Sequence, residues 1–325
     1  MEEVLMQTRL DARDYAASVV AVPPIALNAD LTVNADANVA IIRHIEAGGV
    51  RILLYGGNAN LYHFGLDDYR AGMEAVIAGA APQTALVTSI GPDFGKALAQ
   101  VPIARDLGFK NVMLLPTQFP ADSAGVANGV RRLAAVLGHG LVLYLKRENY
   151  VDPDELARLV SEGAVDFVKY AVERADPAQD AYLDAVMAAI GKDRMASGMG
   201  ETPIHDHLGR RAMTTYTSGA VCIAPSAAME LLTLYKAGRG AEALELSRPF
   251  LEFERVRTDL GGLQVLHDGM RLAGIADTGP LMPMISNLSA AKLGPVGVAV
   301  ESLKQAEAAC LRRSGKAAAT AFSLS

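Results

Sequence analysis

Hydrophobic and polar positions fall in blocks along the chain. Short runs that are apolar at nearly every position recur, each followed by a mixed stretch. The runs lie at residues 18–22, 50–55, 85–90, 111–115, 141–145, 165–170, 194–197 and 220–223. Their starts are about 25–35 residues apart, the length of one strand–helix unit. Runs apolar on both faces suit strands covered on both sides in a parallel sheet.

The stretches between them carry helix punctuation. Asp152-Pro153-Asp154-Glu155 sets a capping Asp before a Pro at the first helical position and a Glu at the third. Asp176-Pro177 predicts the opening of the next helix in the same way. Asn34 predicts a cap for a helix over 35–47, with Ala40, Ile41 and Ile45 as its apolar stripe and Gly48 as its stop. Gly108 and Gly138 predict two further stops. Strand and helix in this rhythm mean α/β with parallel strands. Eight units favour a (β/α)8 TIM barrel over an open doubly wound sheet, which usually has five or six strands.

After the eighth run the alternation stops. Helical patterns follow one another at 226–237, 241–260, 264–272 and 296–313. The first completes the barrel and the rest form a C-terminal helical extension. The expected organisation is an N-terminal lead over 1–17, the barrel over 18–239 and the extension over 240–325, with 314–325 small and polar enough to fray.

Composition narrows the setting. The 325 residues are 51% hydrophobic and 20% charged, which excludes disorder, and no apolar run reaches the length of a membrane helix. A formal net charge of -6 argues against nucleic acid or an anionic membrane as partner. Met1-Glu2-Glu3 lacks the basic-then-apolar layout of a signal peptide. Two cysteines, Cys222 and Cys310, form no framework and suit a reducing cytoplasm.

A barrel of this kind works at the C-terminal ends of its strands. Three positions there carry chemistry. In Val165-Asp166-Phe167-Val168-Lys169-Tyr170, period-2 alternation puts Lys169 on the face of Val165 and Phe167. If that face points inward, burial lowers the pKa of Lys169 and frees an amine able to form a Schiff base. The plainer alternative is a lysine snorkelling from a strand end. Tyr144 stands near the end of the fifth run and could relay a proton, or merely pack. Lys146-Arg147-Glu148-Asn149 follows it, either an anion site or a solvated loop. Tyr55-Gly56-Gly57-Asn58-Ala59-Asn60 is a turn whose backbone N–H groups could nest a carboxylate. It lacks the spacing of both a P-loop and a dinucleotide fingerprint.

Together and in this order, the three features resemble those of the dihydrodipicolinate synthase/N-acetylneuraminate lyase family of Schiff-base aldolases. The resemblance runs from Val22-Pro23-Pro24 to the C-terminal helices. The family's Gly-Thr-Thr-Gly-Glu stands here as Gly56-Gly57-Asn58-Ala59-Asn60. Its strand-five Tyr and strand-six Lys look like Tyr144 and Lys169. Its Ser-Gly-Asp is similar to Ser197-Gly198-Met199, its Gly-x-Ile-Ser to Gly219-Ala220-Val221-Cys222, and its late Pro-Leu-x-Pro to Pro280-Leu281-Met282-Pro283.

The resemblance implies that Lys169 condenses with pyruvate or another 2-oxo acid and that Tyr144 shuttles the proton. It implies substrate contacts from Gly56, Gly57, Asn58, Arg147, Asn149, Ser197, Gly198 and Val221. No cofactor and no metal is implied, since the imine on Lys169 serves as the electron sink. A dimer or tetramer of the chain is implied as well. The chain departs from the synthase itself at Gly57 and Asn58, where threonines are usual, and at Gln118 in Pro116-Thr117-Gln118-Phe119, where a tyrosine is usual. A second branch, the 5-dehydro-4-deoxyglucarate dehydratases, is similar at Gly56-Gly57-Asn58 and at Tyr144-Leu145-Lys146-Arg147-Glu148-Asn149. It implies a sugar-acid substrate and loss of water and carbon dioxide. Two other readings stay open. One is a metal-dependent aldolase using His205-Asp206-His207 and Glu201. The other is a non-catalytic sensor of a 2-oxo acid.

Overall fold

The computed structural model describes residues 8–313 and residue 315. Residues Met1–Glu3, and all of the 314–325 end expected to fray except Gly315, lie outside the described residues. Eight parallel strands form one sheet: β1 (Val20–Ala21), β2 (Ile52–Leu54), β3 (Ala85–Ile90), β4 (Asn111–Leu114), β5 (Leu141–Leu145), β6 (Val165–Tyr170), β7 (Met195–Ser197) and β8 (Thr217–Ser218). Consecutive strands pair from β1 to β7, and β1 also pairs with β8. A parallel bridge between Ser197 and Tyr216 joins the two ends. The chain is a (β/α)8 barrel.

Eleven α-helices are described: α1 (Ala12–Ala17), α2 (Ala35–Ala47), α3 (Leu66–Gly79), α4 (Phe94–Asp106), α5 (Ser123–Leu137), α6 (Pro153–Ser161), α7 (Ala181–Ile190), α8 (Pro225–Lys236), α9 (Gly240–Leu260), α10 (Gly262–Leu272) and α11 (Leu293–Arg313). The caps act as the sequence predicts at α2, where Asn34 accepts from the Ala37 N–H, and at α6, where Asp152 accepts from Asp154 and Glu155. Such a cap contributes about 1 kcal/mol by satisfying otherwise orphaned N–H groups. The strands are buried on both faces, as their unbroken apolar runs require. Among the described residues no helix is long and apolar enough to cross a membrane.

Three elements differ from the pattern-based reading. The eighth strand is Thr217–Ser218, and the apolar run 220–223 lies mostly in a tight 3-10 turn, Ala220–Cys222, that is fully buried. An apolar run reports burial, and a buried turn looks like a buried strand in sequence. Helix α7 opens at Asp180, which accepts from the Leu183 N–H, and not at Asp176. Asp176 closes only a local turn to Ala178 and Gln179. The Asp180 carboxylate is fixed by the Tyr170 hydroxyl at 2.8 Å and by Arg174 at 3.0 Å, so the helix starts where that anchor stands. After β7 the chain forms a π-helical turn, His205–Arg210, where the other units carry an α-helix.

Both ends of the chain serve the barrel. In the N-terminal lead, the ring of Tyr15 on α1 stacks on Phe167 with centroids 3.7 Å apart. Helices α9, α10 and α11 pack on one another, and α9 and α11 pack on α8. The Glu307 carboxylate on α11 accepts from the Ser226 and Ala227 N–H groups at the start of α8, at 3.1 and 2.9 Å. Helices α9 and α10 reach over the C-terminal mouth of the barrel, where the site lies.

Candidate active site

A cleft of about 600 Å³ opens at the C-terminal ends of the strands. Lys169 and Tyr144 line it together with Gly57, Asn58, Gly198, Ser218, Gly219, Glu254 and Arg257. The alternation along β6 decides which way each side chain points. Phe167 and Lys169 share the inner face, while Tyr170 turns outward to Asp180.

Lys169 is 6% exposed. Its Nζ lies 4.3 Å from the centroid of the Tyr144 ring, and the two residues are partners in the β5–β6 register. Burial is the main force on its pKa, which falls to about 7, and the positive charges of Lys146 and Arg257 add to the effect. A substantial fraction of this amine is therefore uncharged near neutral pH. The Tyr144 phenol is pushed up, first by burial and then by Tyr62. It keeps its proton at neutral pH and is available as a donor.

Gly198 closes the floor beside the lysine. Its N–H donates to the Tyr170 carbonyl at 2.6 Å. A Cβ there would stand 2.7 Å from that oxygen and 2.9 Å from Lys169 Cγ, so only glycine leaves Lys169 its place.

The turn after β2 presents backbone rather than side chains. Among the described residues, the N–H groups of Gly57 and Asn58 have no hydrogen-bond partner. The Asn58 side chain is committed elsewhere: its Nδ2 donates to the Val22 carbonyl at 2.8 Å and its Oδ1 accepts from Arg257 at 3.1 Å. The Asn58 carbonyl lies 2.8 Å from His267 Nε2 on α10. A carbonyl only accepts, so Nε2 carries the proton. Burial holds the His267 ring neutral, with a pKa down to about 4.

The other sequence candidates are not brought to the cleft. Gly56 sits behind the turn, where a Cβ would meet Ser89 Oγ and Met113 at 3.0 Å. Ser197 is fully buried and bonded through Oγ to His207 Nδ1 at 2.8 Å. Val221 is fully buried in the turn after β8, with its N–H on Ser218 Oγ. Arg147 donates to the Ala121 carbonyl at 2.9 Å and lies over the Tyr150 ring. Asn149 occupies the left-handed region at φ 54 in the exposed loop that follows. Of the polar run after β5, Lys146 alone lines the cleft, paired with Glu173 at 2.7 Å.

The residues suggested for a metal are scattered in their bonds. His207 is held by Ser197, and burial lowers its pKa to about 4. Glu201 is buried with its carboxyl pushed up, first by desolvation and then by the neighbouring Glu254 carboxylate. Among the described residues no three or more His, Cys, Asp or Glu side chains gather as metal ligands.

Pattern reading missed Arg257, Glu254 and His267, all supplied by the extension. Arg257 Nη1 bonds to Glu254 at 2.7 Å and its Nε donates to the Gly262 carbonyl at 2.9 Å. Nothing in the spacing of α9 separates Arg257 from the surface arginines of the same helix. The one available signal was Asn58, an amide at a turn that needs partners for both of its ends.

No protein-family model matches the chain. A curated protein of Chelativorans sp. (strain BNC1), described as a probable 5-dehydro-4-deoxyglucarate dehydratase, is 25% identical over 246 residues, covering 73% of this chain and 79% of that one. The dihydrodipicolinate synthase of Oceanobacillus iheyensis superposes with a TM-score of 0.78 at 16% identity, over 90% of this chain and 98% of its own. The sialic acid aldolase of Ruminococcus gnavus superposes with a TM-score of 0.78 at 14% identity, over 91% and 100%. The two superpositions establish a shared fold.

Proposed function

We propose that the chain belongs to the dihydrodipicolinate synthase/N-acetylneuraminate lyase family and is a lysine Schiff-base lyase acting on a 2-oxo acid. The observation that carries this reading is the buried Lys169 amine under Tyr144, with its pKa drawn down to about 7. Lys169 Nζ attacks the carbonyl carbon of the substrate, and the carbonyl oxygen leaves as water. The resulting protonated imine withdraws electrons, so a proton on the adjacent carbon is lost and an enamine forms. Tyr144 moves protons to and from the departing oxygen. The Gly57 and Asn58 N–H groups receive the substrate carboxylate. The imine itself is the electron sink, and no cofactor or metal enters the scheme.

The reaction proposed from this imine is elimination of water from a sugar acid. The enamine expels a hydroxyl from the next carbon, and hydrolysis of the imine returns the free lysine. The description of the curated sequence relative as a probable dehydratase favours this over aldol cleavage, which breaks a carbon–carbon bond from the same imine. The test is incubation with a panel of 2-oxo sugar acids followed by NMR, with Lys169→Ala as control. A product lacking one water, or one water and one carbon dioxide, absent with the variant, supports dehydration. Pyruvate plus an aldehyde supports aldol cleavage. Tight binding with no turnover of any member supports the sensor reading.

A cytoplasmic homo-oligomer, dimer or tetramer, is part of the same proposal. Both cysteines are free and buried, as a reducing setting allows. Phe119, 88% exposed, stands in the loop after β4 as an apolar side chain available to a second copy. Sedimentation velocity on the wild type and Phe119→Asp tests it: a lighter species for the variant supports the interface.

A further inference from the structure

We infer that Arg257, carried into the barrel mouth by the C-terminal extension, is the cation that binds the substrate's 2-oxo-acid carboxylate beside Lys169. The inference rests on the Schiff-base reading and names the side chain that fixes its substrate class.

Among the described residues, the turn after β2 offers two backbone N–H groups without a partner, and the Asn58 amide, held by Val22 and Arg257, keeps one further N–H, so every donor of the turn is neutral. A charged donor holds a carboxylate about twice as strongly as such neutral amides do. Two cations act on Lys169 strongly enough to lower its pKa, Lys146 and Arg257. Lys146 also lines the cleft but is the more exposed of the two, its side chain 30% exposed against 13% for Arg257, and it is held by Glu173 and the Met199 sulfur. Arg257 lines the cleft and is bonded directly to Asn58, one of the two residues whose N–H groups are free.

The guanidinium has the capacity for this task. It carries five N–H groups. One goes to the Gly262 carbonyl, one to Glu254 and one to Asn58. Among the described residues, one N–H therefore remains on each terminal nitrogen, which suits a forked contact with a carboxylate. Its three protein partners, from α9, α10 and the β2 turn, hold it in one orientation before substrate arrives. Gly219 makes the room: a Cβ there would stand 3.1 Å from Arg257 Nη1 and 2.9 Å from Asn58 Nδ2.

The experiment compares an acid with its uncharged twin. Wild type, Arg257→Ala and Arg257→Lys are each titrated with pyruvate and with methyl pyruvate, reduced with borohydride, and the adduct on Lys169 is measured by mass spectrometry. Wild type is expected to trap pyruvate at far lower concentration than the ester. Arg257→Ala should need about ten- to hundredfold more pyruvate, the range for a hydrogen bond to a charged group, with the ester unchanged. Arg257→Lys should fall between them, and added guanidinium should restore pyruvate trapping in the alanine variant. An acid-to-ester preference in Arg257→Ala equal to wild type overturns the inference and leaves the Schiff base standing. If the alanine variant does not fold, the lysine variant decides, and a wild-type preference there with no loss of pyruvate affinity overturns the inference. Absence of any adduct on wild type overturns the Schiff-base reading and the Arg257 role with it. A merely structural Arg257 would weaken acid and ester alike.

Discussion

Lys169 and Tyr144 face each other across β5 and β6, with the amine nitrogen 4.3 Å from the centre of the phenol ring. The ring covers the amine and helps to keep water from it, and burial is what lowers the lysine's pKa to about 7. One strand pairing thus supplies both the nucleophile and the group that moves its protons.

The buried amine has a stability consequence. Its folded pKa, about 7, lies below the ordinary value of 10.5 for an unfolded lysine. Between these values the unfolded chain binds more protons than the folded one, so this group's cost to stability is largest below pH 7 and fades as pH rises toward 10.5. Lys169→Met should therefore unfold at higher urea than wild type at pH 7, by up to a few kcal/mol, with the difference shrinking at higher pH. Equal midpoints at pH 7 would show that the amine is not buried as described.

Tyr144→Phe should slow turnover by about 10²–10⁴-fold, the usual contribution of a positioned acid–base group. The fold should survive, because among the described residues the hydroxyl has no hydrogen-bond partner to lose. Steady-state rates beside a circular dichroism spectrum measure both. An unchanged rate would make the ring a cover and not a relay.

Gly198→Ala should damage the site and the fold together. Its Cβ would press on the Tyr170 carbonyl and on Lys169 Cγ, and overpacking of this kind costs about 1–3 kcal/mol. Denaturation by urea and imine trapping should both worsen. A variant with wild-type trapping would show that the floor gives way more easily than the distances indicate.

Arg147→Ala should leave the Michaelis constant for the substrate within about twofold, since the half-buried side chain does not line the cleft. Its guanidinium is held by Ala121 and Tyr150, away from the cleft. A large rise would mean that the loop after β5 moves in when substrate binds.

Much of this was legible in the sequence. Eight apolar runs predicted the barrel, and period-2 alternation put Lys169 on one face with Val165 and Phe167, but only the fold turns that face inward. The end of the barrel was less legible. The run around Val221 is apolar because it is a packed turn, while the true β8 is the polar pair Thr217–Ser218 that borders the cleft. Asp180 outcompetes Asp176 as a cap through Tyr170 and Arg174, contacts that local spacing does not encode. Arg257 and His267 converge on Asn58 from about 200 residues away in the chain, and only the folded extension brings them there.

In the proposed reaction Lys169 is the nucleophile. Borohydride reduction of the wild-type protein in the presence of pyruvate and of a 2-oxo sugar acid, followed by peptide mass mapping, tests it most directly. A reduced adduct is expected on the peptide containing Lys169, and none on Lys169→Ala. An adduct on another lysine, or none on a folded sample with any 2-oxo acid, would contradict it.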